Sequence, residues 1–113
     1  MEPLNDFETR WNQLGQLMQK RFGKMPHLDI LLFLIGVNEY QGDIPENKFT
    51  KEEKEDLMHV ATCTLLAQNG YFQKIKIDEE GWPHFEALKL LNDLNTEDYE
   101  QLLKQNILDY FQI

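Results

Sequence analysis

Apolar residues recur at spacings of three and four from Asn5 to Phe22, at Phe7, Trp11, Leu14, Leu17, Met18 and Phe22, which places them along one face of a helix. Gly23 supplies a stop and Pro26 a corner. The segment from about Leu28 to Tyr40 is apolar almost all round, so neighbours must cover it on more than one side. It is the expected central helix, and Gly36 leaves room for another backbone to approach closely. Gln41 to Phe49 holds Gly42, Asp43, Pro45 and Asn47 with no period, the mark of a loop. Thr50 followed by Glu53 is a capping-box pattern, which predicts a helix from there to Asn69, ended by Gly70.

Beyond Gly70 the period changes to two. Tyr71, Gln73, Ile75 and Ile77 alternate with Phe72, Lys74 and Lys76, predicting a strand whose isoleucine face is apolar and whose lysine face is mostly wet. Asp78-Glu79-Glu80-Gly81 suits a tight turn, and Trp82 to about Ala87 is the returning strand, with Pro83 at its start or on an edge. Leu88 to Leu91 is compatible with strand or helix. Asn95 or Thr96 caps a last helix, Glu97 to about Phe111, whose apolar set of Tyr99, Leu102, Leu103, Ile107, Leu108, Tyr110 and Phe111 is wider than one groove needs. An ending of Phe111 and Ile113 predicts a C-terminus docked on the body or on a second subunit.

The predicted fold class is therefore mainly α, a small α+β protein. About four helices pack around the Ile30–Val37 segment, with one β-hairpin near residues 71–87, in a single domain spanning 1–113. A chain of 113 residues with 42% hydrophobic content has enough apolar surface for one core.

Charge narrows the partners. Twenty acids against eleven bases give −9, which disfavours nucleic acid and anionic membranes alike. The run Ile30 to Val37 is shorter than the roughly 18 residues of a bilayer span. Many acids sit where helices begin, as Asp6 and Glu8, Glu52, Glu53, Glu55 and Asp56, and Glu97, Asp98 and Glu100 do, where they relieve the helix macrodipole. The single cysteine, Cys63, leaves no intramolecular disulfide, and the acidic start lacks the basic, apolar pattern of a secretory signal, so a cytoplasmic setting is expected.

The sharpest chemical candidate is a metal site. His59 and Cys63 are four apart on one helix face, and His84 on the hairpin completes three donors suited to zinc. Both helical donors fall away from the stripe of Leu57, Val60, Ala61, Thr64 and Leu65, and so face solvent or a second packing partner such as the hairpin. As a nucleophile Cys63 lacks support: it lies deep in its helix with no cation to hold a thiolate. The carboxylates at residues 52–56 and 78–80 sit at a helix start and a turn tip, places normally solvated, rather than in the contrasting environments that acid–base pairs need. No EF-hand spacing and no nucleotide-binding motif is present.

The order helix, helix, helix, hairpin over Leu28 to Leu88, with Leu65-Leu66-Ala67-Gln68-Asn69-Gly70-Tyr71-Phe72 leading into the hairpin, resembles a winged-helix domain. That resemblance implies a regulatory role. The helix before the wing begins Lys51-Glu52-Glu53-Lys54-Glu55-Asp56, placing four acids where a DNA backbone would lie, so it implies a protein-binding descendant rather than a DNA reader. Tyr71, Phe72, Trp82 and Phe85 on the hairpin, with Tyr110 and Phe111 on the last helix, are the candidate interface. The expected function is a non-catalytic protein-interaction or self-associating module. Its alternatives are a metal-binding protein or small enzyme using His59, Cys63 and His84, and a winged-helix-like regulatory domain.

Overall fold

In a computed structural model that describes residues 6–91 and 94–113, the order is α1 (Asp6–Phe22), α2 (Leu28–Glu39), α3 (Lys51–Ala67), β1 (Phe72–Ile77), β2 (Pro83–Ala87) and α4 (Thr96–Phe111). This is the mainly α, small α+β architecture that the periodicity predicts. The first helix's predicted start at Asn5 lies outside the described residues.

The predicted capping box of α3 is formed: the Glu53 N–H donates to Thr50 Oγ1 at 3.1 Å, and the Thr50 N–H donates to the Glu53 carboxylate at 2.8 Å. At its other end the N–H groups of Gln68, Asn69 and Gly70 each turn to the carbonyl three residues back, which tightens the last turn and ends the helix two residues before Asn69. Gly70 then takes the left-handed conformation with φ of 78°.

The core joins Leu14 and Met18 of α1 with Leu31, Leu32 and Ile35 of α2, Ala61, Leu65 and Leu66 of α3, and Leu103, Ile107 and Leu108 of α4. The element shared most widely is α3, which packs on α2, on α4 and on both strands, whereas α2 lies mainly along α3 and leaves Ile30 exposed. At their closest approach Gly36 abuts the Leu57 carbonyl, where any Cβ would clash. The buried Asn106 donates through Nδ2 to the Leu65 carbonyl at 3.1 Å and to Asn69 Oδ1, tying α4 to the end of α3. Arg10 of α1 docks the C-terminus on the body, its Nε donating to the Ile113 carbonyl at 2.7 Å and its Nη2 meeting Asp109 at 2.6 Å.

The hairpin corrects one expectation. Lys74 pairs with Phe85 and Lys76 with His84, so Ile75 is an extra residue, a bulge that shifts the register by one. Before the bulge Phe72 shares a face with Phe85; after it Ile77 joins that same face beside Pro83. Pro83 is buried and Phe72 and Phe85 half-buried on that face, while Ile75 is left 54% exposed. The packed face is thus Phe72, Pro83 and Phe85 with Ile77 at its end, not the predicted Ile75 and Ile77 stripe. Leu88–Leu91 is neither strand nor helix. Among the described residues no helix is long and apolar enough to cross a membrane.

Candidate functional site

The two N-terminal helices, α1 and α2, and the last helix, α4, leave a groove of about 610 Å³ between them. Met18 and Phe22 of α1, Leu34 and Ile35 of α2, and Phe111 of α4 form its apolar walls. Leu14 and Met18 lie on the face of α1 that α4 covers; Phe22, one turn on, passes beyond that cover and stays 52% exposed.

The polar lining is a hydrogen-bonded chain. Asn38 Nδ2 donates to the Tyr110 hydroxyl, which donates in turn to Glu39 Oε2 at 2.7 Å. The other oxygen of Glu39 lies 3.7 Å from Lys74 Nζ of the hairpin. Burial, and then the hydrogen bond to Glu39, push the Tyr110 phenol up to about 12, against the smaller opposite effect of the Asn38 bond. At neutral pH Tyr110 is therefore a neutral donor to a carboxylate whose two oxygens are both engaged. Such an arrangement clasps α4 to α2 and the hairpin, and the Tyr110 phenol is not poised to exchange a proton near neutrality. Arg21 lines the same groove and makes no hydrogen bond or ion pair among the described residues.

The predicted metal donors separate. His59 Nε2 and Cys63 Sγ are 3.6 Å apart on α3, as their spacing requires. His59 is exposed and Cys63 is buried at 1% exposure, which divides the two expected settings between them, solvent for His59 and a further packing partner for Cys63, because α3 has partners on several sides. Burial raises the Cys63 thiol, which keeps it protonated. His84 turns to the hairpin's own turn, with Nε2 2.8 Å from Asp78 Oδ2. The other Asp78 oxygen accepts from the N–H groups of Glu80 and Trp82, each at 2.9 Å. The His84 hydrogen bond first, and the Trp82 N–H next, hold the Asp78 carboxyl below its ordinary range. Among the described residues no group of three or more His, Cys, Asp or Glu side chains gathers as a metal site.

Of the predicted interface residues, Tyr110 and Phe111 line the groove. Tyr71 and Phe72 pack against the core, Trp82 stacks at a tilt on Tyr40 with centroids 4.7 Å apart, and Phe85 is half-buried on the packed hairpin face. Sequence reasoning did not single out Arg21, Asn38 or Glu39. The available signal was the polar pair Asn38-Glu39 ending an otherwise apolar helix. No protein-family model, curated protein or solved structure matches the chain.

Proposed function

We propose that this chain is a non-catalytic interaction module that takes an apolar segment of a partner protein into the groove between α1, α2 and α4. The observation that carries this reading is Phe22, a large aromatic side chain 52% exposed on the wall of an apolar groove, beside a guanidinium that has no ion pair among the described residues. Aromatic and arginine side chains set in a concavity are the usual anchors of protein contacts. The absence of catalysis is supported by how the titratable groups are used: Tyr110 clasps Glu39, Asp78 organises a turn with His84, and the Cys63 thiol is kept neutral by burial. A lone reduced cysteine suits a cytoplasmic setting.

The test compares proteins retained from native cells by the wild-type chain, Phe22→Glu and Leu90→Glu, since Leu90 is 74% exposed and lies outside the groove. The wild type and Leu90→Glu are expected to retain one partner near stoichiometry, and Phe22→Glu to lose it. An identical set from all three overturns the reading. Light scattering separates a second copy of this chain from a foreign partner, because a second copy makes the mass rise with concentration over the micromolar range.

A further inference from the structure

Resting on that docking reading, we infer that the segment received by the groove is an amphipathic one with acidic residues beside its apolar face. The groove departs from the acidic balance of the molecule around it, since its lining holds one guanidinium against one carboxylate. In a chain of net charge −9, the one carboxylate lining the groove is Glu39, and both its oxygens are already engaged, one by the Tyr110 hydroxyl and the other by the Lys74 ammonium. The one guanidinium in the lining, Arg21, is unengaged, and Lys20 before it and Lys24 after it make no ion pair among the described residues. The helix macrodipole accounts for cations in the last turn of α1. It does not account for Arg21 standing in the groove beside an exposed phenylalanine, since a cation on the opposite side of that turn would relieve the dipole equally. A planar guanidinium is suited to holding a carboxylate through two parallel hydrogen bonds. The acids elsewhere repel an acidic partner at long range, but at physiological salt the screening length is about 8 Å, so the groove's own charges decide. A helix laid in a groove presents apolar side chains every three or four residues, with its flanking positions free for Asp or Glu.

Two fluorescent synthetic helical peptides test this, with identical leucine faces and either Glu or Lys at the polar positions, titrated by anisotropy at about 150 mM salt. The Glu peptide is expected to bind the wild type about fivefold or more tightly than the Lys peptide. Arg21→Glu is expected to reverse that order, and Arg21→Lys to keep it in weakened form. Arg21 is exposed, so Arg21→Lys should melt as the wild type does and Arg21→Glu, which sets a carboxylate in the last turn of α1, slightly lower but as one cooperative transition. Tighter binding of the Lys peptide, an order unmoved by Arg21→Glu, or displacement of the Glu peptide by duplex DNA each overturns the inference. If neither peptide binds while Phe22→Glu still loses its cellular partner, the acidic occupant is wrong and the docking reading stands. If that partner is retained as well, both fall.

Discussion

A few side chains hold distant parts of the chain together, and their chemistry is local enough to predict. Tyr110 is one of them. Its folded pKa, raised to about 12, exceeds the ordinary value near 10, so its contribution to stability is fully present below about pH 10 and is lost as pH rises toward 12. Tyr110→Phe removes the hydrogen bond to Glu39 and, at a half-exposed site, should cost about 1 kcal/mol at neutral pH by denaturant unfolding. It should also reduce the phenolate absorbance change at the alkaline end of the titration by one tyrosine's worth; an undiminished change contradicts the assignment. Gly36 is another. A Cβ there meets the Leu57 carbonyl, so Gly36→Ala must push α2 and α3 apart and should cost about 2–3 kcal/mol, lowering the melting temperature by roughly 10 °C or more. An unchanged melt would mean that the two backbones are not in contact.

At the scale of elements, the ends of helices were legible in the sequence and the faces of the hairpin were not. Thr50 with Glu53, Gly70 after α3 and Asn95 before α4 act through bonds within a few residues, so their meaning does not depend on the rest of the fold. The hairpin's orientation is a tertiary decision. Alternation assigned Ile75 and Ile77 to one packed face, but Pro83 is buried and Phe72 and Phe85 half-buried on the other, and one bulged residue at Ile75 brings Ile77 round to join them. Which of solvent or a further packing partner meets Cys63 was open for a related reason, since a helical stripe shows one partner and α3 has several. The His84–Asp78 pair belongs to this scale, because it fixes the turn. The Asp78 pKa is lowered in the fold, so its stabilisation is present above the unfolded value near 4 and lost as pH falls through the lower folded value. Asp78→Asn should lower the melting temperature at pH 7, and the gap from the wild type should narrow below pH 4, about where carboxylates begin to protonate. A gap that stays constant down to pH 2, roughly below both values, would show that the charge is not what holds the turn.

For the whole molecule, the sequence conveyed how the chain packs far better than where it meets anything else. The groove takes its walls from α1, α2 and α4, so no local pattern marks it, and Phe22 was expected on a packed face from which it actually emerges. The acids, by contrast, concentrate elsewhere: burial first, and then the carboxylates of Asp43, Glu53, Glu80 and Asp78, raise the Tyr40 phenol near the hairpin turn. A negative face at the turn and a cation with no ion pair among the described residues in an apolar groove divide the surface into unlike regions, and the second pairs the exposed Phe22 with a volume of about 610 Å³. The most direct measurement is photo-crosslinking in native cells with a photoreactive amino acid at position 22, compared with the same residue at position 90. Position 22 should yield one discrete protein adduct and position 90 none; adducts of equal abundance at both positions, or at position 90 alone, would contradict a groove built to receive a partner.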